Sequence, residues 1–175
     1  MQMQIKVIKL ELFYNSALTS LYLHDVRYLA PFAAETAEHF CRRLLSYCSL
    51  YELHPAMSVQ AQKGPDLFVR DQHQHYQLWC QVDPPSDKLL QKASHQSDQV
   101  ILMLESQEHQ KFVSSHRRLP NVQVCDVPDR AVSECMAMLK ANMQLSVWRE
   151  EQLLQITDGE HMLELALPQL HRAVH

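Results

Sequence analysis

Metal-assisted phosphodiester cleavage needs two or three carboxylates to hold magnesium or manganese against a phosphate, and a lysine to orient or activate the attacking water. The stretch Gly64 to Pro85, GPDLFVRDQHQHYQLWCQVDPP, places Asp66 at the start of one apolar run and Gln81 and Asp83 at the end of a second. Alternate side chains of a strand share a face, so Gln81 and Asp83 are expected on the same side. Lys88 and Lys92 follow four residues apart, stacked on one face of a helix that can approach that strand end. Glu35, at the head of an earlier helix, offers a further carboxylate. A nuclease hairpin of this kind is expected to read Glu-x-Lys on its second strand, whereas this chain reads Gln81-Val82-Asp83.

Each of these residues also has a plain structural reading. Asp66 follows Gly64-Pro65, where aspartate suits a turn. Glu35 suits the first turn of a helix, where the dipole stabilises an anion. Lys88 and Lys92 suit the solvated side of an amphipathic helix. His73 and His75 could together face zinc or nickel, but no third ligand lies near them in the sequence, and a solvated hairpin tip is the expectation. His116-Arg117-Arg118 is the one basic cluster and closes a predicted helix, where cations are stabilised in any case.

Composition narrows the classes. The chain has 175 residues, 46% hydrophobic and 21% charged, with a formal net charge of −4. That describes one globular domain over residues 1–175 and excludes a strongly basic surface for nucleic acid. Only Gly64 and Gly159 are glycines, which excludes a glycine-rich phosphate loop. No run of eighteen apolar residues suggests a membrane span, and the first residues alternate instead of forming a signal block. Five cysteines with no Cys-x-x-Cys pair read as reduced thiols of a cytoplasmic protein, with Cys41 and Cys48 on one apolar helix face.

The elements that must position these residues follow from periodicity. Residues 3–13 and 17–26 alternate and predict two strands, broken at Tyr14-Asn15-Ser16. Residues 35–51 predict a long amphipathic helix through Phe40, Cys41, Leu44, Leu45, Tyr47, Cys48 and Tyr51. A short strand is expected after Pro55, then a hairpin of residues 66–71 and 75–82 that Pro84 and Pro85 terminate. Ser86 caps a helix over 86–95, and the apolar run 98–106 reads as a buried parallel strand. Helix, strand and helix complete the pattern before a tail in which Asp158-Gly159 predicts a hairpin turn. Trp79 is expected in the core and Trp148 packed in the tail. The whole is a mixed α/β sheet.

Several motifs taken together carry a resemblance. Glu35-Thr36 opens a helix that continues with Arg43-Leu44-Leu45-Ser46-Tyr47. Pro65-Asp66-Leu67-Phe68 and Arg70-Asp71 follow, Trp79 stands six residues before Pro85, and Lys92-Ala93 precedes the apolar strand from Val100. Over roughly residues 5–165 the chain resembles the YaeQ family, whose members are similar to the PD-(D/E)XK nuclease fold. The resemblance implies a restriction-endonuclease-like core with extra N- and C-terminal strands. It aligns Glu35 with the family's helix glutamate, Asp66 with the aspartate of Pro-Asp, and Lys92 with a nuclease lysine displaced onto the helix. Gln81 falls where the family has glutamate, and Asp83 where it has glycine.

The loss of charge at Gln81 weakens any magnesium site, because an amide oxygen is a poorer ligand than a carboxylate. Asp83 restores the charge only at a ligand displaced by about 6 to 7 Å along the strand. The leading expectation is therefore a nuclease-like fold with a departed, inactive site at Glu35, Asp66, Gln81 and Lys92, retained for binding a nucleic-acid end or a protein partner and needing no cofactor. A first alternative is an active nuclease with a migrated site. In it Glu35, Asp66 and Asp83 hold magnesium or manganese and Lys92 orients the water. A second is a protein-interaction domain that makes no use of the cleft.

Overall fold

The computed structural model describes residues 2–61, 64–115 and 119–167. Strand β1 (Ile8–Ser16) turns Ile8, Leu10, Leu12 and Tyr14 inward, all fully buried. The expected break at Tyr14-Asn15-Ser16 does not occur. Asn15 and Ser16 instead pair in parallel with Trp148 and Arg149 of β8 (Asn142–Arg149), and this long-range pairing overrides local turn preference. The chain reverses over residues 17–20, where Ser20 takes φ 52°, and β2 (Leu21–Leu29) returns antiparallel to β1.

Helix α1 (Ala37–Ser49) is capped by Thr36, whose hydroxyl accepts from the His39 amide at 3.2 Å. Glu35 thus lies one residue outside the cap and not in the first turn. A 3-10 turn (Tyr51–Leu53) ends at His54, which is left-handed with φ 54°, and leads into β3 (Ala56–Met57), shorter than the expected strand. β4 (Leu67–Arg70) and β5 (Tyr76–Gln81) form the predicted hairpin, with Leu67 opposite Cys80. Ser86 caps α2 (Asp87–Gln96) through the Leu89 amide at 3.2 Å.

β6 (Ser97–Glu105) runs parallel between β5 and β7 (Val122–Val127). Val100 to Leu104 are completely buried, as a strand covered on both faces requires. α3 (Ser106–Ser115) and α4 (Asp129–Met138) lie on either side of β7 in sequence. After β8, β9 (Leu153–Thr157) and β10 (Met162–Ala166) make the predicted hairpin, with Gly159 at φ 96° in its turn. The His116-Arg117-Arg118 cluster lies outside the described residues.

The strands form two mixed five-stranded sheets, ordered β10-β9-β8-β1-β2 and β3-β4-β5-β6-β7. The mixed α/β arrangement is as expected, and the N- and C-terminal strands form a sheet of their own, because β1 pairs with β8 and not with the central strands. α1 and α4 share one core with the inner faces of both sheets, through Leu44, Leu45 and Met138 against Leu10, Leu145, Cys80 and Met103. α2 and α3 cover the far face of the second sheet, where Leu90, Ala93 and Phe112 meet Trp79, Val100 and Leu102. Trp148 does not pack inward as expected; it stands on the outer face of the first sheet, 44% exposed. Among the described residues, no helix is long and apolar enough to cross a membrane.

Candidate functional site

The apolar face of α1 carries one charged side chain, Arg43, and it is wholly buried. A buried guanidinium requires a partner, and Arg43 finds it in Glu35. Its Nε donates to Glu35 Oε2 at 2.9 Å and its Nη2 to Oε1 at 2.7 Å, while Nη1 donates to the Ser58 carbonyl at 2.9 Å. The guanidinium lies over the Phe32 ring, 3.7 Å from its centroid. Glu35 Oε1 also accepts from the Phe32 amide at 2.9 Å, and Oε2 contacts Nδ1 of His39.

His39 carries the network toward solvent. It lies one helical turn before Arg43, and its Nε2 meets Asp83 Oδ2 at 2.7 Å. Asp83 Oδ1 accepts from Arg42 Nη2 at 3.3 Å, and the other arm of Arg42 points to Glu105 at 3.9 Å. The Nε of Arg42 is buried with no acceptor among the described residues. Burial would lower the His39 pKa, but its hydrogen bonds to Asp83 and Glu35 outweigh that and raise it to about 9, so the ring is an imidazolium at neutral pH. The His39 hydrogen bond holds Asp83 below its usual range. Glu35 is also lowered: burial opposes this, but His39 and Arg43 prevail.

Asp66 sits immediately before β4. Its amide donates to the Cys80 carbonyl at 2.8 Å, and its Oδ2 accepts from the Val82 amide at 2.9 Å. Burial pushes its pKa up; the Val82 amide and His39 pull against that, and the nearby Asp83 charge adds to it. Of the residues singled out in the sequence, the structure therefore brings Glu35, Asp66 and Asp83 to one charged cluster, through His39.

Gln81 and Lys92 do not join it. Gln81 Oε1 accepts from the Trp79 indole at 2.8 Å, on the face that packs against α2. The expectation that Gln81 and Asp83 face the same way fails because β5 ends at Gln81, and past its end Asp83 meets α1. Lys92, like Lys88, is exposed on α2. Among the described residues, the hydrogen bonds and ion pairs of Glu35, Asp66 and Asp83 include neither lysine. His75 pairs with Asp98 at 2.6 Å at the hairpin tip, with no metal grouping among the described residues.

The donor set does not fit a divalent cation. An ionised carboxylate offers about four lone-pair positions, and Glu35 makes four contacts: the Phe32 amide, two Arg43 nitrogens and His39. A guanidinium and an imidazolium sit where a cation would be drawn. Among the described residues, no group of three or more His, Cys, Asp or Glu side chains is placed to hold a metal.

His39, Arg42 and Arg43 are the site residues that motif spacing does not single out as chemistry. The available signal is Arg43 itself, a charge embedded among Cys41, Leu44 and Leu45 on an otherwise apolar helix face.

The fold and the spaced motifs agree with comparisons to known proteins. A curated relative from Salmonella typhi, "Uncharacterized protein YaeQ", is 23% identical over 146 residues, covering 79% of this chain and 81% of that protein. The crystal structure of the YaeQ protein from Xanthomonas axonopodis pv. citri superposes with a TM-score of 0.84 at 20% identity, covering 93% of this chain and 96% of that one. That from Pseudomonas syringae gives 0.82 at 20% identity, covering 97% of each. The family model described as "YaeQ protein" matches residues 1–167, and the chain therefore belongs to the YaeQ family.

Proposed function

We propose that this protein is a cytoplasmic, single-domain binding protein built on a PD-(D/E)XK nuclease-like framework whose catalytic site has departed. The observation that carries the reading is Glu35: every lone-pair position of the carboxylate that would anchor a metal is taken, and Arg43 neutralises it from within the core. Two further observations support it. Gln81, at the family's glutamate position, is engaged by Trp79, and Lys92 is solvated on α2. For the framework, the support is the order α1, hairpin β4–β5, α2 and parallel β6, with Asp66 at the head of the hairpin.

The chemistry left at the outer end of the charged cluster suits recognition. The Asp83 carboxylate held by His39 and Arg42 is more than half exposed, and a donor of a partner can reach it. Five unpaired cysteines fit a reducing compartment.

A nuclease assay with magnesium or manganese on single- and double-stranded DNA and RNA tests the reading, and no cleavage is expected. Cleavage that disappears in Asp66→Ala would overturn it. The migrated-site alternative draws on one observation, the proximity of Asp66 and Asp83. It requires Glu35 to exchange two protein contacts for a metal ion, so it also predicts saturable manganese binding.

A further inference from the structure

Away from the charged cluster, an open groove of ≈ 350 Å³ lies between the end of β2 and the short β3. β2 and β3 each lie at one edge of their sheet, so each presents main-chain groups that a neighbouring strand could engage. The floor is aromatic: Tyr47 from α1 and Tyr51 from the 3-10 turn. On the rims stand Tyr28 and Val59, each 70% exposed and the two most exposed large apolar side chains among the described residues. His54, held left-handed at φ 54°, also lines the groove.

Charge narrows the occupant. The described lining residues include Arg27 and His54 and no carboxylate, in a chain whose formal net charge is −4. Asp25, partly exposed beside the lining, accepts from Arg27 at 2.7 Å and from the Tyr51 hydroxyl at 3.0 Å; this contact offsets part of the Arg27 charge and orients the guanidinium while leaving Arg27 about half exposed. Tyrosine and arginine around a concave apolar floor are the residue types that dominate protein–protein binding energy. The Val26 amide on this edge is taken by Asp25 Oδ1 at 2.9 Å, but the edge beyond it, from Tyr28, adjoins such a floor, which is the geometry of strand addition, in which the main chain gives affinity and alternate side chains give specificity.

We propose that this groove takes an extended segment of a partner protein, added as a strand along the edge of β2, with an apolar side chain over Tyr47 and Tyr51 and an acidic one at Arg27 and His54. The groove touches the Glu35 cluster at Ser58, which lines it and whose carbonyl accepts from Arg43, but Arg27, Tyr28 and Val59 make no contact with Glu35, so their variants test the groove independently of the reading given above.

A phage-displayed library of random dodecapeptides, selected on the full chain, tests it. Enrichment of a motif with an apolar residue beside an acidic one is expected. A fluorescein-labelled selected peptide should lose about tenfold or more in affinity against Tyr28→Ala, Val59→Asp and Arg27→Glu, and keep its affinity against Asp66→Asn. Because Tyr28 and Val59 are exposed, those two variants should retain the wild-type urea midpoint, which separates lost binding from lost folding. Methylating alternate peptide amides should abolish binding in one phase and not in the other, since only alternate N–H groups face the edge. The proposal is overturned if no motif is enriched, if the Tyr28 and Val59 variants bind as wild type, or if both methylation phases are tolerated.

Discussion

Glu35 and Arg43 meet in a two-point contact at 2.9 and 2.7 Å, with both side chains essentially out of solvent. The pair stands one residue outside the helix cap and on the helix's buried face, so it ties the entry of α1 to the core.

Removing one partner should cost far more than removing both. Arg43→Met leaves the buried Glu35 without its two-point partner, with the His39 imidazolium as its remaining cationic contact, and a loss of about 3 kcal/mol is expected. Glu35→Gln with Arg43→Met together should recover a large part of that loss. Urea unfolding at neutral pH measures both variants.

His39 makes stability fall on the alkaline side. Its folded pKa of about 9 lies above the ordinary 6.5, so the folded state holds a proton that the unfolded state releases. The stabilisation is fully present below about pH 6.5 and is lost as pH rises through 9, amounting to roughly 3 kcal/mol at 1.36 kcal/mol per unit. Urea unfolding from pH 6 to 10 should show this decline in the wild type, and His39→Gln should flatten it.

Manganese should give no saturable heat in isothermal titration, because Glu35 has no lone pair to offer. Gln81→Glu should not create a site either. The new carboxylate would still accept from the Trp79 indole, while Arg43 would still occupy Glu35. Saturable binding in the Gln81→Glu variant would place residue 81 in the cleft.

The thiols should be inert in the folded state. Burial raises Cys48 to about 12, as it does Cys125, and lifts Cys80; hydrogen bonding to Cys41, together with burial, lifts Cys135. Since the thiolate is the reactive form, Ellman's reagent at pH 7 should modify these four thiols slowly in the native protein and promptly in urea.

Gly159→Ala should destabilise the β9–β10 hairpin by roughly 1 to 2 kcal/mol. A Cβ there would meet nothing within 4 Å, so the cost is that of placing a side chain at φ 96°. Thermal unfolding measures it.

Most of the elements were legible in local pattern. The period of residues 35–51 made α1, Ser86 capped α2, Asp158-Gly159 turned the last hairpin, and the apolar run from Val100 became a strand buried on both faces. Local patterns suffice there because side-chain period and cap chemistry are properties of a few neighbouring residues. Tertiary structure decided what lies beyond that range. β1 runs through Tyr14-Asn15-Ser16 because β8, more than a hundred residues later, supplies a partner, and that pairing divides the strands into two sheets. Asp83 reaches α1 because β5 ends two residues before it. Glu35 is a metal-ligand candidate by its place in the motif, but with Arg43 folded against it every lone-pair position is occupied. Whether a buried charge is available depends on which groups surround it, and spacing along the chain does not contain that.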